Sequence, residues 1–307
     1  MKPTVIVIGG PTASGKSKLA VELAKQINGE IISADSMQIY KDMNIGTAKI
    51  TKQEMQGIKH YMLDFLSPEE RYSVSQYKED AEECIKQIIE KGKVPIIVGG
   101  TGLYIDSLIY GIEFAKEDID TEYRDKLNKI AEEGKLDLLY KKALEIDPIA
   151  MEKISPNDQK RIIRVLEIYN KTGKTKTEQD IKSRQNDIEY NYRVFAIDMD
   201  REVLYERINK RVDLMIESGL IEEVKDLMAK YKNFQTAMQG LGYKEVVEYL
   251  NGSIEKKNMI ENLKQKTRNY AKRQLTWFRK NKETIWLNGE TSIEENVSKI
   301  LKEIEID

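Results

Sequence analysis

The sequence predicts an α/β fold: a mostly parallel sheet assembled from both ends of the chain, with a helical domain inserted between them. Three observations predict it. Short apolar runs alternate with amphipathic segments over the first hundred residues, the signature of successive βα units. A glycine-bearing turn containing Lys16 and Ser17 follows the first apolar run directly and opens the first helical pattern. Beyond Gly111 the character changes to Lys, Glu, Leu and Ile at helical spacing, and a buried-strand pattern returns only at Arg193.

Taken in order, Thr4 to Ile8 reads as the first strand and the residues after Gly15 as its helix. Glu30 to Ala34 reads as the second strand, Ser73 to Lys91 as a helix, and Val94 to Val98 as a further strand. Pro95 has no N–H to give a ladder, so it fits only near that strand's first, unpaired end. From Asp120 to Asn170 the helical spacing is broken at Gly134, at Asp147 and Pro148, and at Ser155 and Pro156, which predicts several short helices and no strand. Asn170 to Asn191 is more polar and predicts a loop-rich return. Then come a strand at Arg193 to Asp198, helices at Asp200 to Met215 and Leu220 to Lys230, a long basic helix at Asn258 to Arg279, and a last strand at Thr284 to Leu287. Residues 1–111 and 192–307 are expected to form the core, and residues 112–191 the insertion.

Composition narrows the function classes. The chain has 307 residues, 40% of them hydrophobic, and a net charge of −2, so it is not a polycation overall, although local patches are what a nucleic acid meets. One cysteine, Cys84, allows no internal disulfide, and a single His60 beside it allows no zinc-finger spacing. Cys84 lies in a charged, periodic stretch and reads as a half-buried helix residue. The amino terminus enters a strand pattern directly, and no segment is apolar enough to span a bilayer, so a cytoplasmic protein is expected.

The stretch Gly10, Pro11, Thr12, Ala13, Ser14, Gly15, Lys16, Ser17 has the spacing of a phosphate-binding loop, and its place between strand and helix makes the match specific. Successive N–H groups and the helix start face phosphate oxygens, Lys16 brings a mobile positive charge, and Ser17 can place its hydroxyl on magnesium. The fold class is therefore a P-loop core with a mostly parallel sheet and an inserted helical domain. An ATPase would carry an apolar strand ending in an acid, whereas Val94 to Val98 ends in Gly99, Gly100, Thr101 and Gly102.

Open parallel sheets collect ligands beyond the carboxyl ends of their strands, which brings Asp35 and Thr101 toward the loop. Asp35 fits a buried structural acid or helix cap, an outer-sphere magnesium ligand, or a general base. Gln38, with two donors and an acceptor, suits a base edge or a solvent-facing helix position. In the basic helix, Lys264, Arg268 and Lys272 recur every four residues and make a stripe down one face, with Arg273 beside it and Glu261 the one acid between residues 256 and 280. Tyr270 and Trp277 could stack on bases or simply pack. Gln159, Lys160, Arg161, Ile162 and Ile163 form a second basic region, and Arg207 and Arg211 share a helix face, from which they could clamp phosphates or pair with acids.

At this point the chain resembles the bacterial tRNA dimethylallyltransferases (tRNA isopentenyltransferases). The resemblance rests on Gly10 to Ser17, Ser33 to Ser36, Asn44 to Lys49, Gly99 to Tyr104, Ser155 to Asp158, Leu241 to Lys244 and Thr267 to Phe278, in that order along nearly the whole chain. It implies transfer of the dimethylallyl group of dimethylallyl diphosphate to N6 of adenosine 37 in tRNA, with magnesium as cofactor and diphosphate released. It implies that Asp35 accepts the proton and that Thr101 contacts the base or phosphate near the transfer centre. Arg211 then contacts the leaving group. Asp35, Ser36, Met37, Gln38, Thr101, Arg124, the Gln159 to Ile163 segment and the basic helix residues Lys264, Arg268, Lys272 and Arg273 are expected on tRNA, with the insertion on the anticodon arm. No membrane and no obligate protein partner are implied, and a monomer is compatible with this. An ATP-dependent small-molecule kinase, or a nucleotide-gated RNA-binding protein without transfer activity, are the alternatives to be tested.

Overall fold

The computed structural model describes residues 2–114, 121–183, 187–234 and 236–304. They divide into two compact units, Met1–Ile109 with Ile188–Asp307, and Tyr110–Asp187.

Along the chain, β1 (Thr4–Gly9) leads into α1 (Lys16–Gln26), β2 (Gly29–Ala34), the short α2 (Lys52–Met55), β3 (His60–Tyr61), α3 (Val74–Glu90), β4 (Val94–Gly99) and α4 (Gly102–Ile109). The second unit holds α5 (Thr121–Glu132), α6 (Leu136–Ile146), α7 (Pro148–Met151), α8 (Gln159–Thr172) and α9 (Lys176–Lys182). The chain then returns through β5 (Asn191–Asp198), α10 (Arg201–Glu217), α11 (Leu220–Lys230), α12 (Tyr243–Leu250), α13 (Lys256–Phe278), β6 (Ile285–Asn288) and α14 (Ile293–Ile304).

Among the described residues, six strands lie in one sheet in the order β3-β2-β4-β1-β5-β6, and every pairing is parallel. Parallel strands need crossovers that cover both faces, so the central strands are apolar runs: Val5, Ile6, Val7, Ile8, Ile96 and Ile97 are fully buried. β4 is interior, yet it carries Pro95. Val94 N–H donates to the Asn28 carbonyl on the β2 side. Alternation therefore turns position 95 toward β1, whose ladder with β4 begins only at Ile96, so no ladder bond is lost.

One face of the sheet is covered by α1, which buries Leu19, Leu23 and Ala24, together with Val297 and Ile300 of α14. Each buried aliphatic side chain of this size contributes about 1.5–3 kcal/mol relative to exposure. A separate core ties Ile39 and Met43 of the segment after β2 to Val212 of α10, Leu220 of α11, Tyr243 of α12 and Leu263 of α13. That core fixes the rim of the site. α13 also approaches the β4–α4 turn so closely that a Cβ on Gly102 would lie 2.4 Å from the Trp277 ring, which gives Trp277 a packing role.

The second unit has its own core of Leu139, Ala143, Met151, Ile162, Val165 and Leu166. The breaks predicted at Gly134 and Pro156 fall between its helices, and the one at Asp147 and Pro148 is where α6 ends and α7 begins. Asp147 caps α7 through Ala150 N–H at 3.0 Å and holds Thr177 of α9 at 2.6 Å and 2.8 Å. The polar stretch after Asn170 departs from the expected loop, because α8 continues to Thr172 and α9 follows with a capping box made by Thr175 and Glu178. Asp120, where the helical stretch was expected to start, and residues 184–186 of the return lie outside the described residues.

Candidate active site

The site begins with the turn between β1 and α1. Gly15 has φ +89°, and a Cβ there would meet nothing within 4 Å, so glycine serves the left-handed backbone beside open space. The first turn of α1 has no side-chain cap and no acidic residue, which leaves its N–H groups and the positive end of the helix dipole facing outward. Ser14 Oγ is buried and finds no hydrogen-bond partner among the described residues. An unmet buried hydroxyl beside open helix amides is the donor set of an anion cradle.

Lys16 Nζ donates to the Pro11 carbonyl at 2.6 Å. Burial pushes its pKa down to about 7, the Arg211 guanidinium adds to this, and Asp35 opposes it. Arg211 is itself lowered by burial, against the pull of Asp35 and Glu54. Two basic groups crowd the loop and Asp35 is the one carboxylate that acts on both, an arrangement that favours an incoming anion.

Lys16, Ser17 and Arg211 share the wall of a cavity of about 410 Å³ with Thr12, Asp35, Ser36, Met37, Gln38, Tyr270, Arg273 and Gln274. A second cavity, about 700 Å³, is lined among others by Ser14, Gly15, Lys16, Ser17, Lys18 and Arg211. Lys16, Ser17 and Arg211 thus line both spaces, whereas Asp35 lines only the smaller one.

Asp35 sits just past the end of β2. Its Oδ1 accepts Met37 N–H at 2.9 Å and Gln38 N–H at 3.4 Å, which leaves Oδ2 without a hydrogen bond among the described residues. That arrangement orients the carboxylate while keeping an oxygen for a ligand proton. Thr101, past the end of β4, is not on the cavity wall. Its Oγ1 accepts Ser36 N–H at 3.1 Å, and it is within hydrogen-bond reach of the Tyr270 hydroxyl. Burial, followed by the charge of Asp35, pushes the Tyr270 phenol up to about 12, so it remains a neutral hydroxyl. Gln38 gives its amide N–H groups to the carbonyls of Thr47 at 3.2 Å and Ala48 at 3.4 Å. The Asn44–Lys49 segment is in turn anchored by Glu223, which accepts the N–H groups of Asn44, Ile45 and Gly46 at 2.9, 2.7 and 3.1 Å.

Among the described residues no group of three or more His, Cys, Asp or Glu side chains forms a metal cage. Magnesium keeps its waters and takes phosphate oxygens, so the exposed Ser17 hydroxyl at the loop fits that ion without a cage.

Other expected residues fall elsewhere. Arg207 donates to the Gly289 carbonyl at 3.2 Å, so it does not form a clamp with Arg211. The basic stripe is partly tied down: Lys264 pairs with Asp213 at 2.7 Å and Arg268 donates to Asn209 at 2.6 Å, whereas Lys272 and Arg273 are exposed. Asp213 and Asn209 on α10, partners that spacing within the helix does not reveal, account for this. In the second unit, Arg124 forks onto the buried Glu167, with Nη2 to Oε2 at 2.8 Å. Ile162 and Ile163 are buried in that unit's core, which leaves Gln159, Lys160 and Arg161 as the groups of that segment able to meet a ligand. Cys84 is half-buried on α3 with its thiol pushed up to about 11 by burial, and His60 donates its Nδ1–H to the Ile58 carbonyl at 2.9 Å.

Sequence reasoning missed Gln274, a buried amide on α13 that reaches the phosphate loop, because a neutral residue in a basic helix carries no local signal. It also missed Glu223, whose partners lie about 180 positions away in the chain. No described helix is long and apolar enough to cross a membrane.

A family model described as IPP transferase matches residues 38–281. The tRNA dimethylallyltransferase of Acetivibrio thermocellus is 52% identical over 300 residues, covering 97% of this chain and 96% of its own. Among solved structures, the tRNA delta(2)-isopentenylpyrophosphate transferase of Staphylococcus epidermidis superposes with a TM-score of 0.74 at 45% identity, over 100% of both chains. A eukaryotic dimethylallyltransferase acting on tRNA gives a TM-score of 0.80 at 33% identity, over 99% of this chain and 79% of that one. With the family model spanning most of its length and relatives this similar end to end, the chain belongs to the IPP transferase family of tRNA dimethylallyltransferases.

Proposed function

We propose that the protein transfers the dimethylallyl group of dimethylallyl diphosphate to N6 of adenosine 37 in tRNA and releases diphosphate. One observation carries this reading beyond family membership: Lys16, Ser17 and Arg211, which suit a diphosphate, share a cavity wall with Asp35, which suits a proton acceptor. A kinase could use the same two halves, with Asp35 as the base for a hydroxyl, but it leaves the inserted helical unit and the exposed cations Lys272 and Arg273 of α13 without a role.

The chemistry asks for both halves. The amino nitrogen of adenine is a poor nucleophile because its lone pair is delocalised into the ring, so it must be held close to the allylic carbon and lose a proton as the bond forms. Asp35 Oδ2 takes that proton, while Thr101 holds Ser36 and, through Tyr270, the wall beside the base. As the carbon–oxygen bond of the donor breaks, negative charge grows on the leaving diphosphate. The open amides of α1, Ser14 Oγ, Lys16 and Arg211 oppose it. Magnesium, when bound through Ser17 and phosphate oxygens, supplies further positive charge to the leaving group.

Adenosine 37 must leave its stack to reach Asp35, which costs less in a loop than in a duplex. Gln38 and Met37 then line the entry, Lys272 and Arg273 meet phosphates, and the insertion grips the anticodon arm with Gln159, Lys160 and Arg161. One chain supplies every protein group in this scheme, so a monomer suffices, and a tRNA substrate fits the cytoplasm.

The test is incubation of unmodified tRNA with magnesium and either dimethylallyl diphosphate or ATP, followed by nucleoside mass analysis. A five-carbon addition to adenosine supports transfer. Phosphate transfer from ATP would support a kinase, and binding without product would support an RNA-binding protein; either would overturn the proposal.

A further inference from the structure

We propose that Gln274 is a positioning residue that sets the separation between the phosphate loop and the acceptor side of the cavity; this rests on the transfer reading above. Gln274 is 6% exposed and comes from α13, an element remote in sequence from both loops it joins. Its Oε1 accepts the Thr12 N–H at 2.9 Å, and its Nε2 donates to the Gly100 carbonyl at 3.0 Å. The two partners demand opposite ends of the amide, so its orientation is fixed by chemistry. A third group, the Tyr270 hydroxyl, lies within hydrogen-bond reach of both Gln274 and Thr101.

Thr12 belongs to the loop that faces the donor diphosphate, and Gly100 immediately precedes Thr101 on the acceptor side. A single planar amide therefore spans the two. The fit leaves no slack: a Cβ on Gly100 would lie 2.0 Å from Nε2 of Gln274, so this turn must be glycine for the bridge to form. Lengthening or loosening the bridge changes the distance over which the allylic carbon must meet N6. Displacement of about 1 Å at a reacting centre lowers rate by about 100-fold without removing any group that binds substrate.

The role predicts a split that loss of packing alone does not produce. Gln274→Met, close in shape and without either hydrogen bond, is expected to lower single-turnover transfer by about 10- to 100-fold, with the Kd of dimethylallyl diphosphate and of tRNA each within about threefold of the parent. Gln274→Glu keeps an acceptor for Thr12 N–H but repels the Gly100 carbonyl, so its rate should fall as well, and it serves where the methionine variant is unstable. In a double-mutant cycle, Thr101→Ala should cost less in the Gln274→Met background than in the parent, because Thr101 is already displaced. Parent-level transfer by both folded variants, or costs that simply multiply in the cycle, would overturn the positioning role. If the unmodified enzyme makes no five-carbon product on adenosine, it is the transfer reading that fails, and the inference falls with it.

Discussion

Binding of the donor should draw a proton onto the protein, through Lys16. Its pKa stands at about 7 in the free protein because burial and Arg211 disfavour the ammonium more than Asp35 favours it. A diphosphate seated on the loop adds negative charge beside Nζ, holds Lys16 protonated and raises its pKa. The sign follows: uptake is large above pH 7 and vanishes below it. With a free-state pKa near 7, about 0.1 proton is taken up at pH 6, about 0.5 at pH 7 and about 0.9 at pH 8. The same linkage weakens donor affinity by about fivefold from pH 7 to pH 8. Calorimetric titration in two buffers of different ionisation enthalpy at each pH reads the uptake directly. Asp35→Asn removes the charge that raises the free-state pKa, so its uptake at pH 7 should exceed that of the parent. Buffer-independent heats at pH 8, or proton release there, would refute the reasoning. Folding obeys the same sign: an unfolded lysine binds its proton up to about pH 10, so the native state gains stability as pH rises from about 7 toward 10.

Three further outcomes are expected. Neutralising Lys272 and Arg273 together, both exposed on α13, should weaken tRNA binding and reduce the slope of log affinity against log salt by about 1–2, whereas Lys264→Ala should leave the slope unchanged because Lys264 is engaged by Asp213. Filter-binding titrations from low to moderate salt measure both. Arg124→Ala strands the buried Glu167 carboxylate with only Arg164 at 3.6 Å, and thermal or denaturant unfolding should register a loss of about 2–3 kcal/mol. A variant as stable as its parent would mean that Arg124 is free to serve as an RNA contact instead.

The parts of the fold readable in the sequence are those set by short-range pattern. β1, β2, β4 and β5 are apolar runs because a parallel sheet buries both faces, and α5 to α8 start and stop at Gly134, Pro148 and Pro156. β3 has two residues and no period to read. α14 does carry a helical period in Ile293, Val297, Ile300 and Ile304, but it follows a strand pattern that draws attention to itself, and α9 announces its start only through Thr175 and Glu178 in an otherwise polar stretch. The site divides in the same way. The phosphate loop, Asp35 and Arg211 come to one cavity, because strand ends and a helix face determine where they go. Thr101, Gln38, Gln274 and Glu223 depend on partners that only the tertiary structure supplies.

The most direct measurement is single-turnover reaction of the parent enzyme and Asp35→Ala with the same unmodified tRNA, saturating dimethylallyl diphosphate and magnesium, followed by nucleoside mass. The account predicts a five-carbon adduct on adenosine from the parent, and the same adduct about 100-fold more slowly from Asp35→Ala, a loss of about 2.8 kcal/mol in transition-state stabilisation, with donor affinity little changed. No adduct from the parent, or equal rates from the two proteins, would contradict it.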